Sequence, residues 1–245
     1  MGKITREKFK IRGNVFDDFT ERLIFKLEGK YFDHIKSPVS IGKEANIFTA
    51  TGLEEKDSED TEDERRPVIL KIYRLENCEF NKMYEYIKVD PRYSNLKKKK
   101  REIVFSWAQR EFRNLLKARE SGVRVPIPIH CERHILVLEQ IGKDCPAPKL
   151  KDQIPQDIAK FYDKVAEEMK RLYKGGLVHG DLSAFNILND CENPVFIDFS
   201  QSTTTQNPMA RELLDRDVKN ICDHFKKIGL KTDEQNLRKQ IKEAK

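Results

Sequence analysis

The stretch "LVHGDLSAFNIL", residues 177–188, sets a histidine, an aspartate and an asparagine between two apolar flanks. Asp181 is followed by Leu182 and, after an SAF spacer, by Asn186, while Gly180 stands immediately before it. An aspartate that accepts a hydroxyl proton, with an asparagine at this spacing to hold Mg2+, is a pattern of phosphoryl transfer from ATP. A second stretch, "VFIDFSQS" at 195–202, ends an apolar run on Asp198. Carboxylate and amide oxygens are the hard ligands that Mg2+ prefers. His179 is expected to pack and hydrogen-bond within its loop rather than act as a base, because Asp181 already fills that role.

Working outward, "RPVILKIYRL" at 66–75 reads as a buried strand with Lys71 in its middle. A buried ammonium needs an anion, and the helical segment 101–119 offers one. Val104, Ala108, Leu115 and Ala118 give that segment an apolar face, and Glu111 falls on it. If strand and helix pack together, Lys71 and Glu111 pair and the lysine is poised to reach a phosphate. The alternative is that Lys71 snorkels to solvent and Glu111 lies at the helix edge.

The remaining chain suggests an α+β layout in two lobes. Residues 14–28 carry Phe16, Phe19, Leu23 and Leu27 at helical spacing, with Asn14 as cap and Gly29 as stop. "SPVSIGKEANIFTATG" predicts two strands turning at Gly42, and "HILVLEQIG" another strand. The segment 54–64 holds eight acidic residues and no aromatic, which predicts a solvated loop, taken as 54–66. A helix is expected over 154–174, loop and short strands over 177–198, and two helices over 208–245 parted near Gly229. These assignments give an N-terminal helical extension at 1–36, an N-lobe at 37–140 and a C-lobe at 141–245, hinged near 139–143.

Composition bounds the function. Hydrophobic residues make up 38% and charged residues 36% of the 245, with a net charge of +6. No run approaches a membrane span, and the charged start does not suit a signal peptide, so a cytoplasmic protein with no membrane partner is expected. Five cysteines, with no CxxC pair among them, are expected to be reduced thiols. The run Lys97–Arg101 in "NLKKKKRE" is expected to be a solvated helix start, with contact to an RNA backbone as the functional alternative.

Taken together, "SIGKEANIF", "VILKIYR", "EFNKMYEY", "REFRNLLKARESGVRVPIP", "LVHGDLSAFNIL" and "FIDFSQS" resemble the RIO family of atypical serine/threonine protein kinases, from about residue 14 to 244. "GKEAN" and "IDFSQS" are closer to its type 1 branch, and 245 residues leave no length for the winged-helix domain of type 2. The resemblance implies a two-lobed kinase-like fold with a minimal C-lobe, using ATP and Mg2+. It implies Ser40 and Lys43 in the phosphate-covering loop, Lys71 on the phosphates and paired with Glu111, and Glu139 and Ile141 at the adenine. Asp181 would be the catalytic aspartate, with Asn186 and Asp198 as metal ligands. Asp198 would also be a phosphorylated intermediate, giving an ATPase.

The implied partner is the precursor of the small ribosomal subunit, with its rRNA and ribosomal proteins, and no DNA. Residues 199–245 contain no APE segment, so an activation loop and peptide-binding helices are not expected, and Gly180 fits the absence of a loop for an arginine to grip. Two other readings stay open: a small-molecule kinase of the aminoglycoside or choline type, which shares "HGDL" and "IDF", and a non-catalytic nucleotide-binding assembly factor.

Overall fold

Residues 16–53, 65–76, 78–90, 93 and 96–243 are described here, from a computed structural model. The expected cap at Asn14 and the acidic run 54–64 lie outside them. Helix α1 spans Asp18–Leu27 and is capped by Asp17, whose carboxylate accepts the Thr20 N–H at 2.8 Å. It buries Thr20, Ile24 and Leu27; of the expected stripe of Phe16, Phe19, Leu23 and Leu27, the last is buried and the other three are half-buried beside it. Thr20 joins this buried face through a polar contact: its Oγ1 meets the buried His134 Nε2 at 3.0 Å.

Five antiparallel strands follow the order β1-β2-β3-β5-β4. They are β1 (Ile35–Ile41), β2 (Ala45–Ala50), β3 (Val68–Tyr73), β4 (Pro128–Glu132) and β5 (Ile135–Glu139). Alternation along β3 divides its side chains between two faces. Leu70 and Ile72 join Ile24, Leu27, Phe32 and Phe48 beneath α1. Each such side chain contributes about 1.5–3 kcal/mol by leaving water. Lys71 and Tyr73 point the other way, towards α3. The expected single strand "HILVLEQIG" is half of a hairpin: Glu132 pairs with Ile135 and the turn passes through Arg133 in a positive-φ conformation.

Helix α2 (Phe80–Lys88) was not expected, and it forms by burying Met83 and Ile87, four residues apart, against α3 (Lys100–Glu120). The C-terminal lobe holds α4 (Ile158–Lys174), α5 (Ala210–Lys227) and α6 (Glu234–Lys242). It also holds two short ribbons, β6 (Leu177–Val178) with β9 (Thr203–Thr204) and β7 (Ile187–Asp190) with β8 (Asn193–Phe196). The expected helix at 154–174 starts later because Asp157 caps it, accepting the Lys160 N–H at 2.9 Å. Gly229, at φ 103°, parts α5 from α6 as expected. Among the described residues no helix is long and apolar enough to cross a membrane. All five cysteines are free.

Candidate active site

β3 and α3 bring Lys71 and Glu111 together. Lys71 is 7% exposed and Glu111 1%, and Nζ donates to Oε1 at 2.8 Å. Tyr73, two residues along the same strand face, donates its hydroxyl to the other oxygen, Oε2. Lys71 also reaches Asp198 Oδ1 at 2.9 Å, so one ammonium ties the sheet, α3 and the C-terminal lobe together. Burial alone would lower the Lys71 pKa, but the charges of Asp198 and Glu111 outweigh it and hold the pKa above the usual range. The snorkelling alternative is excluded by this geometry.

Asp198 follows β8 in a left-handed conformation, φ 63° and ψ 68°. A non-glycine residue held there costs on the order of 1–3 kcal/mol and persists only where its surroundings fix it. Here Lys71 and the Ser200 hydroxyl, at 2.8 Å, both donate to Oδ1. Burial acts to raise this carboxyl, yet the Lys71 charge and these hydrogen bonds prevail and hold it at about 2. Oδ2 accepts no hydrogen bond among the described residues.

The β7–β8 ribbon sets Asn186 beside Asp198. Ile187 pairs with Phe196, and the next step outward joins the Ile197 N–H to Asn186 O at 3.0 Å. Asn186 donates Nδ2 to Asp181 O at 2.8 Å and to Asp181 Oδ2 at 3.4 Å, which leaves its own Oδ1 as an acceptor for a cation. Two oxygen ligands with open positions suit Mg2+, which retains waters and substrate phosphates rather than filling a protein cage. Among the described residues there is no cluster of three or more His, Cys, Asp or Glu residues fit for a metal. Asp181 also receives Gln201 Nε2 at 3.3 Å. Burial, and then the Asp198 charge, raise its pKa.

A cleft of about 470 Å³ opens between the lobes, within the usual size range of a small-molecule site. Ser40, Lys71, Glu111, Glu139, Ile141, Asn186 and Asp198 all line it. Asp181 is held at its rim through Asn186. Lys43 is exposed and does not line the cleft. Its neighbour Glu44 is raised by burial and by the Asp198 charge. His179 is buried, with Nε2 3.0 Å from Ile197 O, which agrees with a structural role.

Several positioning residues escaped the sequence. Asp217 of α5 accepts the N–H groups of Gly180 and Leu182, each at 2.8 Å, and so grips the backbone on both sides of Asp181. Asn220 Nδ2 adds a hydrogen bond to Leu182 O at 3.1 Å. On α3, Asn114 donates to Phe199 O at 3.0 Å and Ser202 O at 2.9 Å, and Arg110 donates to Ser200 O at 2.6 Å. An acidic residue on an otherwise apolar helix face revealed Glu111, and the same signal was present at Asp217 between Leu213, Leu214, Val218 and Ile221.

Gly180 has a backbone reason to be glycine. Its φ is 81°, and a Cβ there would lie 3.0 Å from Gln201 O. The loop that carries Asp181 therefore passes close against the segment that follows Asp198.

The family model described as RIO domain matches residues 46–237. The RIO-type serine/threonine-protein kinase Rio1 of Haloferax volcanii is 38% identical over 233 residues, covering 94% of this chain and 77% of that protein. Its namesake in Methanocaldococcus jannaschii is 39% identical over 238 residues, covering 96% and 78%. Serine/threonine-protein kinase RIO1 of Homo sapiens is 34% identical over 221 residues, and there the match spans only 37% of the relative. Among solved structures, the Rio2 kinase–ADP/Mg2+–phosphoaspartate complex from Chaetomium thermophilum superposes with a TM-score of 0.64. At 22% identity, over 90% of this chain and 65% of that one, this likeness bears on the fold.

Proposed function

The chain belongs to the RIO family, and from that premise we propose that it is an ATP- and Mg2+-dependent serine/threonine protein kinase that also hydrolyses ATP. The observation that carries this reading is the Glu111–Lys71–Asp198 chain of contacts, at 2.8 and 2.9 Å, on the wall of a nucleotide-sized cleft. Catalysis of phosphoryl transfer is mostly positioning and charge stabilisation, and these residues supply both.

In this proposal the adenine lies near the Glu139–Ile141 backbone, Ser40 stands over the phosphates with Lys43 farther out in the same loop, and Lys71 contacts phosphate oxygens. Asn186 Oδ1 and Asp198 Oδ2 would hold Mg2+, which neutralises charge on the phosphates when bound. For transfer to an acceptor, Asp181 takes the hydroxyl proton as oxygen attacks the γ-phosphorus and the bond to ADP breaks. For hydrolysis, a carboxylate oxygen of Asp198 attacks instead, and water then cleaves the aspartyl phosphate to inorganic phosphate and the free carboxylate. The phosphoaspartate of the Chaetomium Rio2 complex supports this second route as chemistry open to the fold.

We further propose that the partner is the small ribosomal subunit precursor, in its late maturation, with nucleotide turnover timing a conformational step. Lys97–Arg101, all exposed at the start of α3, support an RNA contact. ATP hydrolysis and protein phosphorylation, measured with and without that precursor, test the proposal on wild type, Asp181→Ala and Asp198→Ala. Loss of turnover in both variants is expected. Full turnover in Asp198→Ala, or none in wild type even with the particle present, would overturn it.

A further inference from the structure

Three lysines line the cleft, and only one of them lacks a counter-ion among the described residues. Lys71 is held by Glu111 and Asp198. Lys151 pairs with Asp152 and lies over the Phe185 ring at 5.4 Å. Lys149 has a fixed backbone: it bridges to Leu188 of β7, and its carbonyl accepts the N–H groups of Asp152 at 2.8 Å and Gln153 at 3.0 Å. Its half-buried side chain has no ion-pair or hydrogen-bond partner among those residues.

An ammonium withdrawn from water without an anion is costly, and it gives three donors and no acceptor. Burial lowers the Lys149 pKa, and the charge of Asp198 acts in the opposite direction, so the lysine stands within the field of the metal-binding carboxylate. An anion entering the cleft near Asp198 would meet Lys71 from the sheet and Lys149 from the segment leading into the C-terminal lobe. We propose that Lys149 is a second phosphate-binding lysine, taking an oxygen of the nucleotide's phosphate chain from the lobe opposite Lys71. A ribose hydroxyl would satisfy one donor but would leave the charge unpaired. This inference rests on the ATP reading of the cleft and deepens it.

Calorimetric titration of ATP, ADP and adenosine, each with Mg2+, into the full chain tests it, comparing wild type, Lys149→Met and Lys149→Arg. Methionine keeps the length of the side chain and removes the charge. The expected result is ATP and ADP binding weakened about tenfold in Lys149→Met, with adenosine unchanged and Lys149→Arg close to wild type. Lys149→Met that binds ATP as tightly as wild type, or that loses adenosine by the same factor, overturns the Lys149 role while leaving the kinase reading standing. Wild type that binds no nucleotide overturns both.

Discussion

His179 and His134 are 1% and 0% exposed, and burial lowers each imidazole to about 4. Because the unfolded value is higher, the unfolded chain binds more protons between about pH 6.5 and 4, and stability is lost as pH falls through that window. His134→Phe removes one such group from a site already lined by Phe19 and Phe105. The stability advantage of wild type over this variant should shrink steadily from pH 6.5 to 4 in urea denaturation, and a constant difference would contradict the buried neutral imidazole. Gln201 bears on the chemistry more directly. Amide donors favour the ionised form of Asp181, opposing its burial and the Asp198 charge. Gln201→Leu is therefore expected to raise the Asp181 pKa further, so that the acid limb of the turnover–pH profile moves to higher pH.

At the scale of elements, two helices act as clamps. α3 supplies Glu111 to Lys71, and from the adjacent position and the next turn it supplies Arg110 and Asn114 to the backbone after Asp198. α5 supplies Asp217 to the backbone around Asp181. Asp217→Ala leaves two buried N–H groups without a partner, at about 1–3 kcal/mol each. Its expected signature is a lowered melting temperature and a depressed kcat, with the ATP Kd near wild type, because Asp217 does not line the cleft. An ATP affinity that falls in step with kcat would contradict a role confined to the loop. Helix legibility followed apolar spacing: α3 could be read because its stripe is long, whereas α2 buries only Met83 and Ile87 and escaped notice. On α1 the apolar stripe was legible, whereas the buried Thr20 carries no hydrophobic signal.

For the whole molecule, the cleft couples ligand binding to stability. A ligand bound there only in the folded state stabilises by mass action, about 2.7 kcal/mol at a concentration one hundred times Kd. ATP with Mg2+ should thus raise the melting temperature of wild type, and much less that of Lys71→Met, as read by calorimetry. The net charge of +6 bears on partners rather than on fold. Lys98 lies over the Tyr84 ring at 5.3 Å, Lys100 over Phe80 at 5.1 Å and Arg101 over Phe19 at 5.3 Å. A basic edge ordered in this way should bind RNA with a steep salt dependence. Neutralising Lys97–Arg101 should flatten that dependence in filter binding, and an unchanged slope would remove the run from the interface.

By itself the sequence determined which polar residues meet: Lys71, Glu111, Asp181, Asn186 and Asp198 could be named because a buried charge or a fixed loop spacing is a local signal. The two-lobed order and the gap between α5 and α6 were legible for the same reason, since apolar periodicity and glycine act over a few residues. Only the tertiary structure decided what holds those groups in place. The hydrogen bonds between Gly180 and Asp217, Asn114 and Phe199, and Thr20 and His134 join positions 37, 85 and 114 residues apart. A pairing across such separations leaves no periodicity in the chain, because it is fixed by how the helices pack.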